Sequence, residues 1–253
     1  VTTHNWSALG TGLNAAARAV AARGDTVYAG GDFTQAGGVN ATRIARWNGS
    51  TWSAMGAGMN NRVEIISIAP DGTVYAGGTF TTAGGLGAAR IARWNGTAWS
   101  ALGAGVNSVV EEILFGDNGA GGYDVYVAGQ FTTAGGLPAN RVAKWNGSAW
   151  STFGAGVDAI VDALWIDPRS GGGYDVYVGG TFLTAGGAPA SRVAKWDGSA
   201  WSELGGGMNG SVNALTMHQG VLYAGGGFTT AGADSAYGVA TWNGADDTIG
   251  IIG

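Results

Sequence analysis

Short apolar runs separated by glycine-rich stretches repeat along the whole chain. In the clearest unit the runs are Val63–Ile68, Val74–Gly78, Arg90–Trp94 and Trp99–Leu102. Runs this short, bounded by turn residues, are typical of β-strands, and no stretch has the period of an amphipathic helix. The alanine-rich segment Ala15–Ala22 aligns with the first strand of the other units and is interpreted as a strand too. The pattern predicts an all-β protein with four short antiparallel strands in each unit.

Turn residues lie between these runs at fixed places. Asn95-Gly96 separates the third strand from the fourth, and Asn-Gly or Asp-Gly recurs there in the other units. Both dipeptides readily adopt the positive φ angles that tight hairpins need. The paired glycines of Thr81–Gly85 predict a loop between the second and third strands. The hairpin between the first and second strands varies in length and is longest at Gly116–Asp124 and Asp167–Asp175.

The unit is an internal repeat. Val74–Asn107 matches Val27–Asn60 at 25 of 34 positions without gaps, and further copies begin at Val125, Val176 and Leu222. Four-stranded units of this length predict the blades of a β-propeller. Five equivalent phenylalanines indicate five blades, and these are Phe33, Phe80, Phe131, Phe182 and Phe228. The predicted blades are 15–60, 61–107, 108–158, 159–209 and 210–244, within one domain over 1–253.

The two ends of the chain predict how the ring closes. Trp6–Gly10 reads WSALG, as does Trp99–Gly103, whereas the fifth unit stops at Gly244 before this piece. The N-terminal segment 4–14 is therefore predicted to form the fourth strand of the last blade. Closure of this kind removes open sheet edges. The tail 245–253 matches nothing in the repeat and is expected to be a linker.

Composition narrows the possible functions. The chain has 50 glycines in 253 residues, but 11 Trp, 8 Tyr and 7 Phe accompany them at fixed positions, which favours tight turns over disorder. A net charge of −5 without a basic stripe argues against nucleic-acid binding. No apolar run is long enough for membrane insertion. With no cysteine and two histidines, neither a metal site nor a cofactor is predicted.

The pattern VYAGGxFTTAGGxxAxRIARWNGxxWSALGAGxN, which covers about 5–244, resembles the repeats of secreted bacterial propeller-like proteins. It is also similar to repeats in the extracellular part of fungal cortical polarity-marker proteins, of the wider kelch-like group. The strand-exchange closure resembles WD-repeat propellers, although their Gly-His and Trp-Asp signature is missing. Five-bladed lectins share only the blade count. The resemblance implies a propeller that binds or acts as a scaffold.

Paired tryptophans flank the last hairpin of each unit. The pairs are Trp47/Trp52, Trp94/Trp99, Trp145/Trp150, Trp196/Trp201 and, across the closure, Trp242/Trp6. They are interpreted as packing between blades, with sugar stacking as the alternative.

Two polar sets are candidate ligand-binding residues. The Asx set follows each fourth strand and consists of Asn14, Asn60, Asn107, Asp158 and Asn209. The arginine set opens the third strands and consists of Arg43, Arg90, Arg141 and Arg192, with Gly238 in the fifth unit. The Asx set could serve turns or bind a ligand on one face. The arginines could recognise an anionic sugar or bond loop carbonyls.

A third set, the rim set, lies on the first strands and is expected near a central channel. It consists of Arg18, Glu64, Glu111, Asp162 and Asn213. Carboxylates near one another are what a glycoside hydrolase needs. Because these residues occupy equivalent repeat positions, a solvated channel rim with mixed charge is the favoured interpretation.

The sequence therefore predicts a non-enzymatic, monomeric binding or scaffold propeller at the cell surface or outside the cell. Repeated equivalent sites would suit multivalent binding of glycans. The alternative is a structural interaction domain of a larger surface protein with no small-molecule ligand, and its partner would be another surface protein. The third hypothesis is a glycoside hydrolase.

Overall fold

The computed structural model describes residues 5–244 and the backbone of residues 249–250. The chain forms two compact units, Val1–Gly105 and Val106–Gly253. Every regular element in the described part of the chain is a β-strand, as the sequence predicted. Those residues include no helix that could cross a membrane. The prediction that the chain is a single domain stays a prediction.

Each unit is built from four-stranded antiparallel sheets whose strands follow chain order from one edge to the other. In unit 1, sheet 1 comprises Ala17–Arg23, Thr26–Gly31, Ile44–Trp47 and Trp52–Ala54, and sheet 2 comprises Val63–Ile68, Val74–Gly78, Ile91–Trp94 and Trp99–Ala101. The first strands of the two sheets lie next to each other.

Unit 2 contains three sheets of the same design, and their first strands also lie side by side in chain order. Sheet 3 comprises Val110–Asp117, Tyr123–Gly129, Val142–Trp145 and Trp150–Thr152. Sheet 4 comprises Val161–Pro168, Tyr174–Gly180, Val193–Trp196 and Trp201–Glu203. Sheet 5 comprises Val212–His218, Val221–Gly226, Val239–Trp242 and Ile249–Gly250. Repeated sheets of this kind are what a β-propeller requires.

A short ribbon replaces the loop that was predicted between the second and third strands. The five ribbons pair Gln35–Ala36 with Val39–Asn40, Thr82–Ala83 with Leu86–Gly87, Thr133–Ala134 with Leu137–Pro138, Thr184–Ala185 with Ala188–Pro189, and Thr230–Ala231 with Asp234–Ser235. Phenylalanine anchors each one, because Phe80 and its four equivalents are at most 2% exposed. The second strands are apolar without alternation because both of their faces are covered, as in Val74–Gly78.

A β-bulge lies at the beginning of every first strand. The register between the first and second strands shifts at each residue of the rim set, for example between Val161 and Ala163. A glycine on the second strand faces the bulge, and a Cβ at Gly180 would overlap the carbonyl oxygen of Ile160. Glycine is required here because the bulge brings two backbones together. This accounts for part of the high glycine content.

Three of the four tryptophan pairs are buried, and the fourth, Trp196/Trp201, is partly buried against the core. Their ring centroids are 5.3–5.6 Å apart and their planes are tilted by 51–57°. The indole N–H of Trp99 donates to the carbonyl of Met55 at 2.8 Å, and that of Trp201 donates to the carbonyl of Phe153 at 2.8 Å. Each of these two bonds links a fourth strand to the end of the preceding sheet in the same unit. Packing, rather than an open sugar platform, is what these pairs provide.

Sheet 5 departs from the prediction. Its fourth strand is Ile249–Gly250, which pairs with Thr241 and Trp242, and not the N-terminal segment. Trp6 is 104% exposed and residues 5–12 form no strand. The nearer segment closes a hairpin of a few residues, which costs less chain entropy than recruiting a strand from the far end of the chain. The predicted linker is therefore partly a strand, while 1–4, 245–248 and 251–253 lie outside the described residues.

A tryptophan substitution checks this strand assignment. Because Trp6 is exposed, Trp6→Phe should change the free energy of unfolding by less than about 0.5 kcal/mol. Its repeat equivalent Trp52 is buried and donates to the carbonyl of Leu9 at 2.8 Å. Trp52→Phe should cost about 1–2 kcal/mol, measured by urea unfolding. Equal costs for the two variants would mean that the N-terminal segment packs as a strand in solution.

Candidate functional site

The side chains of the Asx set form hydrogen bonds with the ribbons. Asn60 Oδ1 accepts hydrogen bonds from the backbone N–H groups of Thr81 at 2.8 Å and Thr82 at 3.0 Å, and its Nδ2 donates to Thr81 Oγ1 at 2.8 Å. The same three bonds occur at Asn14, Asn107 and Asn209. The side chains thus bond a segment 20 or more residues away in place of their own turn. Ligand binding by this set stays a prediction, and most of its hydrogen-bonding capacity is used within the fold.

Asp158 varies the same arrangement. Its Oδ1 accepts from the N–H groups of Leu183 at 2.9 Å and Thr184 at 3.0 Å. Leu183 stands where the other repeats have the threonine whose hydroxyl accepts from the asparagine side-chain amide, as Thr81 does. No such hydroxyl is needed beside Asp158, because a carboxylate has no N–H to donate. Partial burial opposes ionisation of Asp158, but the hydrogen bonds from Thr184 and Leu183 outweigh it and lower the pKa. The Asp158 and Leu183 combination thus keeps the two backbone hydrogen bonds of the contact.

Variants at Asn60 test the fastening role. Asn60→Ala should destabilise the protein by about 1–2 kcal/mol, because two backbone N–H groups lose their acceptor. The double variant Asn60→Asp/Thr81→Leu reproduces the natural combination of Asp158 with Leu183, and it should lower the free energy of unfolding clearly less than Asn60→Ala does. Urea unfolding followed by tryptophan fluorescence measures both. If the double variant is as unstable as Asn60→Ala, the side-chain clamp is not what stabilises this ribbon.

The arginine set occupies an unusual backbone conformation. Arg43, Arg90, Arg141 and Arg192 have φ between 65° and 70°, and Gly238 has φ of 80° at the fifth position. Since left-handed φ favours glycine, the apparent gap in the set is explained by the backbone. Nη1 of Arg90 donates to the carbonyl of Thr79 at 2.7 Å, and Nη1 of Arg192 donates to the carbonyl of Met208 at 2.8 Å. The guanidinium groups therefore cap backbone carbonyls, and anion binding by the set stays a prediction.

The rim set forms an ion-pair cluster in unit 1. Arg18 Nε lies 2.8 Å from Asp32 Oδ2 and 3.8 Å from Glu64 Oε2. Arg62 Nε lies 2.7 Å from Asp32 Oδ1, and its Nη1 lies 3.3 Å from Glu64 Oε1. Hydrogen bonds from Arg62 and Arg18 lower the pKa of Asp32. The cluster has two positive and two negative groups, so it has no net charge to attract a charged ligand.

In unit 2 the rim residues lie in separate surroundings. Glu111 Oε1 accepts a hydrogen bond from Gln130 Nε2 at 2.8 Å. Burial raises the pKa of Asp162, whereas Asn213 is exposed. None of these contacts pairs two carboxylates in one pocket, which is the geometry that glycosidic hydrolysis needs.

Sequence comparison of the repeats missed three charged residues. Asp32 and Arg62 complete the unit 1 cluster, and both stand at positions where the copies differ. Glu112, next to the rim residue Glu111, occupies a position that is Ala19, Ile65 or Ala163 in other repeats. Burial raises the pKa of Glu112 to about 7. A single charge at a position that is apolar in the other repeats was the sequence signal that could have revealed it.

The two long hairpins form a cleft in unit 2. Their strands run further than predicted, since Gly116 pairs with Asp124 and Asp167 pairs with Asp175. The cleft between them has a volume of about 410 Å³. Its lining includes Asp117, Asp124, Tyr126, Lys144, Arg169 and Tyr174. We name it the hairpin cleft.

A partly buried ion pair forms the floor of the hairpin cleft. Lys144 Nζ lies 2.6 Å from Asp124 Oδ2, and Asp124 is only 8% exposed. Lys144 Nζ also lies 5.9 Å from the centre of the Tyr126 ring. Burial, with the charge of Asp124, raises the pKa of Tyr126 to about 12, so this phenol stays protonated. The floor thus presents an ammonium group that lies 2.6 Å from a carboxylate oxygen and 5.9 Å from the centre of an aromatic ring.

Tyr174 ties the two hairpins together. The backbone N–H of Asp117 donates to the Tyr174 hydroxyl at 2.7 Å. The Tyr174 ring meets the edge of Tyr126, with centroids 5.7 Å apart. Gly116 leaves room for both rings, because a Cβ there would lie 2.7 Å from Tyr174 and 3.0 Å from Tyr126. The walls of the cleft are therefore set by packing, not by loop conformation alone.

Sheet 4 carries a second copy of the floor. Lys195 Nζ lies 2.6 Å from Asp175 Oδ2 and 5.6 Å from the Tyr177 ring centre. Here Arg169 adds another cation, with Nε 3.8 Å from Asp175 Oδ1 and Nη1 donating to the carbonyl of Asp197. Lys195 does not line the hairpin cleft. The two pairs therefore share a design and differ in their surroundings.

Family and structural comparisons agree on the fold. The model of a family described as a domain of unknown function (DUF5122) β-propeller matches residues 69–96. Two structures of the extracellular domain of BT4673 from B. thetaiotaomicron, described as a one component and as a hybrid two component system, match with TM-scores of 0.54 and 0.52. Their identities are 11% and 12%, and they cover 94% and 89% of this chain. The likeness shows a β-propeller fold.

The chain spans 28% and 27% of those two structures. The GH74 xyloglucanase from Xanthomonas campestris has a TM-score of only 0.37 at 13% identity, with 81% of this chain and 34% of that chain covered, and supports no argument. No curated protein matches the sequence.

Proposed function

We propose that this chain is a non-enzymatic, extracellular propeller module that binds surface glycans. The extracellular placement is supported by its likeness to the BT4673 extracellular domain. The five four-stranded sheets then correspond to five blades of a kelch-like propeller that acts as a monomer.

One observation carries the non-enzymatic assignment. Glu64, one of the three rim carboxylates that the sequence offers for catalysis, is held by Arg62 and Arg18. A catalytic acid needs an unoccupied carboxyl oxygen facing the substrate. Both carboxylate oxygens of Glu64 already face guanidinium groups, Oε2 that of Arg18 and Oε1 that of Arg62. The hairpin cleft, in contrast, offers polar groups in a concave surface.

A second candidate function is a structural interaction domain within a larger surface protein. It is favoured by the BT4673 structures, of which this chain spans less than a third. In that case the module would contact a neighbouring protein segment and no glycan.

A glycan array with the fluorescently labelled chain tests the proposal. Binding to at least one glycan class, without release of reducing ends from the bound glycans, is the expected result. Glu64→Gln serves as the control and should leave binding unchanged. Release of reducing ends that Glu64→Gln abolishes would establish a glycoside hydrolase. Absence of binding to every glycan would favour the interaction-domain alternative.

A further inference from the structure

The hairpin cleft differs from the rest of the molecule in what its polar groups do. The Asx and arginine sets bond backbone atoms of the fold. Asp124 and Lys144 bond each other, so one carboxylate oxygen and two ammonium hydrogens of the pair remain for another partner. They are placed at the floor of a cavity of about 410 Å³, which is within the range of small-molecule sites.

Charge balance in the cleft indicates a neutral ligand. Asp117 and Asp124 contribute two negative charges, and Lys144 and Arg169 contribute two positive charges. An anion would meet the carboxylates and a cation would meet the ammonium and guanidinium groups. A neutral ligand avoids both repulsions.

The spacing of donor and acceptor indicates hydroxyl groups. A hydroxyl both donates and accepts, so it can accept from Lys144 Nζ while it donates to Asp124. Those two groups lie 2.6 Å apart, so adjacent hydroxyls on one ring could contact both. Tyr126 and Tyr174 supply aromatic carbon beside them, together with phenol oxygens.

We infer that the hairpin cleft binds a single sugar residue of a neutral glycan, through adjacent hydroxyls held by Asp124 and Lys144. The inference rests on the proposed glycan-binding function and assigns it one site. It predicts one binding site in repeat 3, in contrast to equivalent sites around a ring.

The chain itself provides a variant that should fold. Repeats 1 and 2 have Thr26 and Arg46, and Thr73 and Arg93, at the positions of Asp124 and Lys144. The double variant Asp124→Thr/Lys144→Arg therefore installs a combination already present in repeats 1 and 2, and it removes the buried carboxylate together with its lysine partner. Asp175→Thr/Lys195→Arg makes the same exchange in sheet 4, where the lysine lies outside the cleft lining.

NMR titration with methyl glycosides of glucose, galactose, mannose and N-acetylglucosamine tests the site. At least one glycoside should shift amide signals of 116–126 and 169–174 in the native chain. Asp124→Thr/Lys144→Arg should weaken that binding about tenfold or more, because charged hydrogen bonds to the ligand are lost. Asp175→Thr/Lys195→Arg should bind within about twofold of the native chain. Melting curves confirm that both variants are folded.

Three results would overturn the inference. They are shifts confined to other residues, equal weakening by both double variants, and no shift with any of the four glycosides. Shifts elsewhere that accompany binding on the glycan array would leave the proposed function intact and move its site. A chain that binds neither the array nor the glycosides would remove both.

Discussion

Gly180→Ala is expected to destabilise the protein by about 3 kcal/mol, near the upper end of overpacking costs. A Cβ at this position would overlap the carbonyl oxygen of Ile160 at the first-strand bulge of sheet 4. That oxygen accepts the N–H of Thr181 at 3.0 Å, and Gly180 itself donates to the carbonyl of Arg192 at 3.0 Å. The backbone cannot move away without losing these bonds. Urea unfolding measures the change.

Gly171→Ala in the same repeat is the matched control. A Cβ there would have no atom within 4 Å, and its φ lies outside the left-handed region. The substitution should be neutral or stabilise the protein by up to about 1 kcal/mol, because alanine restricts the unfolded chain. Equal effects at the two glycines would show that the bulge tolerates a side chain.

Glu112→Gln is expected to remove a pH dependence of stability. Burial raises the pKa of Glu112 from its ordinary value near 4.5 to about 7 in the folded chain. Between these values the folded protein keeps the proton and the unfolded chain releases it. Stability therefore falls as pH rises from about 4.5 to about 7, by at most about 3 kcal/mol, and stays at the lower level above pH 7.

The glutamine variant has no proton to lose and should be the more stable protein above pH 7, while the two proteins should be similar near pH 4.5. Urea unfolding at half-unit pH intervals follows this difference. Glu111→Gln removes the same charge one residue away and controls for net charge. A difference that is constant across pH, or that Glu111→Gln reproduces, would contradict the role of Glu112 burial.

Much of the fold could be predicted because it depends on residues close in sequence. Asn95-Gly96 and the tryptophans on either side of it specify the last hairpin of a repeat. The apolar run Val74–Gly78 specifies a strand that is covered on both faces. Near-identity of the repeats then transfers each local assignment to the other copies.

The candidate site was harder to predict. Sequence pattern marked Asn60 and Arg90 because they recur, and recurrence proved to reflect bonds within the fold. The hairpin cleft depends on Asp124 and Lys144, which depart from repeats 1 and 2. Their differences were visible in the sequence, but their 2.6 Å contact and its burial were not.

The sequence by itself determined the four-stranded repeat, its turns and its tryptophan pairs, because hydrophobic spacing and turn chemistry act over a few residues. Only the tertiary structure decided which segment completes sheet 5, how Arg18 and Glu64 come together, and where the two long hairpins meet. These features depend on distances between residues far apart in the chain. Such distances follow from packing and hydrogen bonding of the whole unit, which a repeat pattern does not encode.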